Sequence, residues 1–431
     1  MKNSVIYYFL IIAIAIGLTA CDDPLTSAGS TRLTNVEVNL LLPDLDENAE
    51  VVNEILTFRN VTSGRKYEFS VNSEIDLTPG LYDVSYSARV FISGAATTSL
   101  RANASSVSII GDSATVDLTA YNNIDNDDLI IAEIFFSGTL QSSGNQYYGD
   151  DYIKLYNNTD HVIYADGITL FESKFLTTKK YDYSPDIMSE AMTVDALYTV
   201  PGSGHDVPVA PGEYLLIADT GIDHRVANPN SFDLSHADFE WYDVSTNPNS
   251  LDIDGVAPNM DKWYCYTLSF WLLHNRGFKA YGIARIPVDR DTYLKEYLYT
   301  YEYEEITNVG TFPMSQTAYS LPNEWIVDVV SCSVDALHAW EVCAPALDCG
   351  WTGCGTMDKD KTRYFHCVRR KLLYVTPEGN AVFSDTNNSS EDFNKMCVPS
   401  EIENQHSATD IYGTPAGVRT YDGIVPIPET E

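Results

Sequence analysis

The stretch that most constrains this chain runs from Gly149 to Leu170. Ile153 and Leu155 alternate with Tyr152, Lys154 and Tyr156, a period of two that predicts a strand with one face packed and the other partly wet. Asn157, Asn158, Thr159 and Asp160 form a turn cluster, because Asn and Asp tolerate left-handed backbone and bond their own chain. β-branched and aromatic character resumes from Val162 to Tyr164. Asp166-Gly167 then signals a tight type I′ hairpin, which needs positive φ, before a further strand at Ile168, Leu170 and Phe171. The stretch reads as two strands of a β-sandwich joined by a polar turn, with most of the later chain supplying the remaining strands and long insertions.

Composition agrees with an all-β chain. Tyr is abundant at 29 residues, Gly and Pro number 25 and 19, and long helical periodicities are scarce. At 431 residues, two β-sandwich domains with tails are expected. Residues 33–121 read as a first small sandwich. Val36, Val38 and Leu40 alternate with Glu37 and Asn39, a turn falls at Thr62 to Arg65, and last strands are expected at Val107–Ile109 and Val116–Leu118. Residues 122–128 form a short acidic linker, lacking the Gly and distal Glu of an EF-hand loop. Residues 129–398 read as a larger sandwich interrupted by insertions at 172–207 and 219–262. Residues 399–431 read as an extended tail, with Gly423 to Val425 available for pairing.

The N-terminus is a targeting segment. Lys2 supplies a positive start, Val5 to Leu18 is apolar but short for a bilayer span, and Leu18-Thr19-Ala20-Cys21 resembles a bacterial lipobox. Residues 1–20 are therefore expected to be removed. Cys21 would be lipidated at the head of a tether, 21–32, anchoring the chain at the outer membrane, on its surface or periplasmic face. Asp22 and Asp23 loosely resemble a surface-export signal. The formal charge of −35, from 26 basic and 61 acidic residues, opposes nucleic acid and anionic membrane faces.

Four groups of residues invite a chemical reading. Besides Cys21, the chain has Cys265, Cys332, Cys343, Cys349, Cys354, Cys367 and Cys397, five of them between 332 and 367. Their spacings lack the paired C-x-x-C of zinc ribbons, and an exported chain meets an oxidising compartment. Three bridges and one leftover thiol are expected, in a connectivity that spacing leaves open. Tyr297, Tyr299, Tyr301 and Tyr303 would lie in a row on one strand face, either as a stacking platform for a sugar or peptide or packed beneath an insertion. The 219–262 insertion holds Asp219, Asp223, His224, Asp233, His236, Asp238, Glu240, Asp252 and Asp254. His236-x-Asp238 on a strand would share a face, but nothing in the spacing demands a metal, and no cofactor is expected. Asp112-Ser113-Ala114 matches a short O-glycosylation pattern, making Ser113 a modification candidate.

No nucleophile elbow, H-E-x-x-H, phosphate loop or zinc-deaminase pattern is present, so no catalytic residue is assigned. Ser63-Gly64-Arg65-Lys66 has S-x-x-K form but falls in a hairpin turn. Carboxylate pairs are inevitable among 61 acids and so single out nothing.

Asp151-Tyr152-Ile153-Lys154-Leu155-Tyr156-Asn157 resembles a segment of lamin-tail domains, which are immunoglobulin-like sandwiches. Leu129 to Ile134 resembles their opening strand, Ala210 to Ala218 a mid-domain segment, Trp325 to Val330 a late strand and Asp385 to Phe393 the close. With the lipobox, this is similar to an uncharacterised family of Bacteroidetes lipoproteins. Leu77 to Val84 resembles a segment of prealbumin-like or immunoglobulin-like domains. These resemblances imply folds and no activity, since lamin-tail modules accompany nucleases, phosphatases and adhesins as accessories. The expected function is a non-enzymatic envelope lipoprotein acting as a binding or partner subunit, with an outer-membrane β-barrel or receptor as its partner. The alternatives are a glycan-binding protein using the tyrosine face, or a metal-dependent hydrolase using His224 and His236.

Overall fold

A computed structural model of the chain describes residues 33–405, apart from 44, 46–48, 93–94, 124–126, 268 and 376–378. Cys21, the targeting segment and Gly423 to Val425 lie outside the described residues.

The first sheets are built from β1 (Thr34–Leu41), β2 (Ala49–Asn60), β3 (Lys66–Phe69), β4 (Ile75–Leu77), β5 (Gly80–Ile92), β6 (Ala95–Ile109), β7 (Ser113–Thr119) and β8 (Tyr121–Asn123). Sheet order is β4-β1-β7 in one and β3-β2-β5-β6-β8 in the other, with β1 and β7 parallel. The alternation read in β1 is realised, with Thr34 and Val36 buried while Asn35 and Glu37 are exposed. Leu56, Phe58, Tyr82, Leu100 and Val116 fill the shared core. Tyr82 Oη donates to the Thr78 carbonyl at 2.9 Å, fixing the entry to β5.

The larger sandwich contains β9 (Leu129–Phe135), β10 (Tyr152–Asn157), β11 (Ile163–Tyr164), β12 (Ile168–Ser173), β13 (Ala191–Thr199), β14 (Pro208–Val209), β15 (Tyr214–Ala218), β16 (Phe239–Glu240), β17 (Asp261–Cys265) and β18 (Ala280–Arg285). It continues through helix α1 (Arg290–Glu296), β19 (Leu298–Thr307), β20 (Gly310–Pro322), β21 (Ile326–Ser331), β22 (Cys367–Arg370), β23 (Leu372–Val375), β24 (Ala381–Phe383), α2 (Ser389–Asp392), β25 (Phe393–Cys397) and α3 (Ser400–Gln405). One sheet runs β16-β15-β10-β9-β22-β25. The other runs β19-β20-β13-β12-β18-β21, with β17 also on β13. The chain is all-β with two sandwiches. Between the two larger sheets lie Ile153, Leu155, Ile168, Leu170, Ile217 and Ile283, with Tyr198 stacked on Trp271 at 5.1 Å.

Four expectations need correction. First, β10 has no wet face, because all six of its residues are buried. Phe232, Leu234, Phe365 and Ile402 pack over Tyr152 on the outer side, and Lys154 meets Glu401 at 2.5 Å, the pairing a buried ammonium requires. Second, Asp166-Gly167 turns with Gly167 at φ 76° but joins no hairpin. β11 pairs β14 in a small two-stranded sheet of their own and β12 pairs β13 and β18, so the chain crosses here from that small sheet into a large one. The Asp166 carboxylate holds the crossing by accepting from Gly204 N and Val207 N at 3.0 and 2.8 Å. Third, 172–207 is no insertion, since it contains β13, a central and wholly buried strand. Residues 400–405 likewise form a helix where an extended tail was expected.

Candidate ligand pocket

Strand β19 is the edge of its sheet and pairs with β20 over its whole length. Tyr299, Tyr301 and Tyr303 sit on one of its faces at a spacing of two. Tyr297 does not join them. Asp289 caps α1 by accepting from Thr292 N at 3.0 Å, and Tyr297 ends that helix, stacked on Tyr293 with centroids 5.2 Å apart.

The tyrosine row is not an open platform. Residues 174–190 run across it, tied by Ser184 and Glu302, whose backbones exchange hydrogen bonds at 2.9 and 2.8 Å. Phe175 stacks on Tyr183 at 3.9 Å, Tyr183 lies 5.5 Å from Tyr301, and Tyr181 lies 4.6 Å from Tyr303. Tyr301 keeps only 2% of its surface. The covering reading of the row therefore holds at its centre. Sequence reasoning missed the cover itself, although Tyr181 and Tyr183 repeat the same spacing of two and could have been found by it.

Where the cover leaves the strand, a cavity of about 370 Å³ opens. Tyr181, Tyr183, Tyr299 and Trp340 supply its aromatic wall, and Lys180, Asp182, Asp186 and Glu341 its polar rim. Trp340 is fixed by Nε1 donating to the Leu176 carbonyl at 2.9 Å. Lys180 Nζ stands 5.5 Å from the Trp340 ring centroid. Tyr299 Oη shares a 2.6 Å hydrogen bond with Thr193 Oγ1. Burial pushes the Tyr183 and Tyr299 phenols above their ordinary value, so both stay neutral donors at physiological pH. Glu341 Oε1 lies 3.0 Å from His338 Nε2, while its buried Oε2 meets no hydrogen-bond partner among the described residues. An aromatic wall with charged side chains at its rim suits a ring-bearing ligand that carries hydroxyl groups.

The acidic insertion is put to structural use. Asp223 and Asp233 flank Arg225 at 2.7 and 3.1 Å. His236 lies in a turn, not on a strand, with Nε2 3.0 Å from Glu401 Oε2. Asp238 accepts from Leu216 N, Glu240 from Gly221 N and Gly255 N, Asp252 from Asp243 N, and Asp254 from Asn259 Nδ2. His224 is buried between Tyr147 Oη at 3.0 Å and the Thr220 carbonyl at 2.9 Å, and burial lowers its pKa. Asp219 is buried near Asp150 and Asp252, neighbours that add to the burial raising its pKa. Among the described residues no three such groups are arranged to hold a metal. Ser113 is exposed at the start of β7. Cys265, Cys332, Cys343, Cys354 and Cys367 are buried thiols in this structure; Cys349 Sγ donates to the Asn387 carbonyl at 3.1 Å, and Cys397 Sγ to the Asn394 carbonyl at 3.5 Å.

Residues 210–400 match a sequence family described as a protein of unknown function, DUF4876. The chain is similar in fold to a crystal structure of a DUF4876 family protein from Bacteroides thetaiotaomicron, with 22% identity and a TM-score of 0.52 over 85% of this chain and 96% of that one. A structure of a candidate cell adhesion protein from Bacteroides eggerthii shares 8% identity over 68% of this chain and 83% of that one, with a TM-score of 0.15. The comparison with curated proteins found no match.

Proposed function

We propose that this chain is a non-enzymatic, lipid-anchored envelope protein that binds a carbohydrate in the pocket beside β19. The observation that carries this reading is the pairing of the Trp340 and Tyr299 wall with the charged rim of Lys180, Asp182, Asp186 and Glu341 around one cavity. Sugar rings present C–H faces to aromatic side chains and hydroxyl donors to carboxylates, so one ligand class answers both halves of the site. The open tyrosine platform is replaced in this proposal by a covered row that braces one wall. The lamin-tail resemblance offers a scaffold for such a pocket and assigns no chemistry to it.

Glycan-array screening followed by calorimetric titration tests the proposal. Trp340→Ala is expected to weaken binding of the selected glycan about tenfold or more, a loss of roughly 1.4 kcal/mol. Tyr148→Ala, at an exposed residue outside the pocket, is expected to leave binding unchanged. Unaltered affinity in Trp340→Ala, or no glycan bound by the native chain, would overturn the proposal.

A further inference from the structure

The fold brings six of the seven cysteines after residue 264 together two by two. Cys367 and Cys397 are opposed Cα partners in the antiparallel β22–β25 ladder, with both side chains in the outer core beside Phe135 and Tyr152. Opposed residues in such a ladder have Cα atoms about 4.5–5.5 Å apart. That lies within the roughly 4.4–6.8 Å span that a disulfide bridges. Cys343 and Cys349 close a tight loop, in which Leu347 N and Asp348 N both return to the Ala344 carbonyl and Cys343 Sγ lies 3.5 Å from Asp348 O, the carbonyl bonded to the Cys349 nitrogen.

Cys332 and Cys354 meet where two segments run side by side. Cys332 forms a parallel bridge with Thr352, Ser333 N donates to Thr352 O at 2.8 Å, and Thr352 N donates to Ser331 O at 2.9 Å. Gly353 permits this approach, because a Cβ there would lie 1.9 Å from Ser333 O. Both thiols are buried in the core between the sheets, and the Cys354 sulfur is a near neighbour that adds to the burial raising the Cys332 thiol. Cys265 sits apart on β17, with its sulfur 3.3 Å from Thr267 Oγ1.

We infer that the mature protein carries three disulfides, Cys332–Cys354, Cys343–Cys349 and Cys367–Cys397, and that Cys265 stays a thiol. Each bridge forms by exchange with an external disulfide, of glutathione or of a dithiol oxidase. One protein thiolate attacks that disulfide, the second displaces the mixed disulfide, and the donor leaves with the two electrons and two protons that the cysteines lose. Burial raises the Cys332, Cys343, Cys354 and Cys367 thiols, and thiols attack only as thiolates. The bridges therefore close while the chain is folding, before these sulfurs are sealed.

Peptide mapping tests the connectivity. The full chain is unfolded in guanidinium with N-ethylmaleimide present, so that buried thiols are reached, then cleaved before aspartates and after tryptophans so that each pair spans a cut, and analysed without reduction by mass spectrometry. The expected result is three cross-linked peptide sets with the stated pairs, each lighter by two hydrogens than its reduced form, and the maleimide on Cys265 alone among these seven. The neighbouring sulfur that competes for Cys354 is Cys397, since Gly355 N lies 3.0 Å from Met396 Sδ. A Cys354–Cys397 link, any other pairing, or maleimide on any of the six would overturn the inference. Cys354→Ser is expected to expose Cys332 alone to the maleimide. Additional labelling of Cys397 would overturn it independently.

Discussion

Asp151 and Asp219 are each 3% exposed and meet at facing strand ends, where Asp219 N donates to Asp151 O at 2.9 Å. Asp151 Oδ1 and Asp219 Oδ2 have no hydrogen-bond partner among the described residues. Burial raises both carboxyls well above the ordinary range. Asp150 and Asp219 add to the rise at Asp151, and Asp252 and Asp150 to the rise at Asp219. The folded chain thus holds protons that the unfolded chain releases above about pH 4. Stability from these groups is full below that pH and is lost as pH rises toward their folded values. Asp219→Asn is expected to raise the midpoint of thermal unfolding at pH 8 by several degrees and to leave it nearly unchanged at pH 4. An equal shift at both pH values would refute the account. Little at this scale was legible beforehand: the density of acids in 219–262 was plain, but which of them lose water depends on strand ends that fold far apart in the chain. The tyrosine spacing was legible at Tyr299, Tyr301 and Tyr303. Tyr297 was misread because Asp289 starts a helix whose Tyr293 and Tyr297 repeat at a spacing of four, a local signal weaker to the eye than the alternation after it.

α3 is six residues long, too short to persist in water unaided. It is held by charge as much as by Ile402. Lys154 reaches Glu401 at 2.5 Å, Arg369 reaches Glu403 at 2.9 Å, and Ser400 N donates to Glu133 Oε1 at 2.8 Å. Removing one partner of a buried pair strands the other, at a cost of roughly 3–5 kcal/mol. Lys154→Met is expected to destabilise by that order in denaturant unfolding, and Lys154→Met with Glu401→Leu to recover most of the loss. Equal destabilisation in both variants would show that the pair is not what holds the helix. The element β10 was legible in its alternation. Its burial on both sides was not, because the covering residues, Phe232, Phe365 and Ile402, come from segments 80 to 250 residues later and carry no mark of their destination.

At the scale of the whole molecule, no helix among the described residues is long and apolar enough to cross a membrane. The envelope attachment proposed above is through Cys21. Acyl labelling with a palmitate analogue is expected in the native chain and lost in Cys21→Ala; label retained in that variant would refute the anchor. The all-β class was readable from composition and turn spacing. The strand order was not, because pairing between distant strands is a property of the closed core.

That strand order also sets a schedule. β9 lies between β10 and β22, Ile131 N donates to Asp328 Oδ2 at 2.7 Å across 197 residues, and Arg370 joins the same carboxylate at 2.6 Å. The first sandwich pairs strands within residues 34–123 and is free to close as soon as those have emerged from a ribosome or an export channel. The second must wait with β9 to β13 in hand until residue 370 arrives, its apolar strands exposed for most of the chain's passage. A fragment that begins at residue 210, where the family match begins, would wait indefinitely, for the central pair of each sheet, β10 with β9 and β13 with β12, would never come.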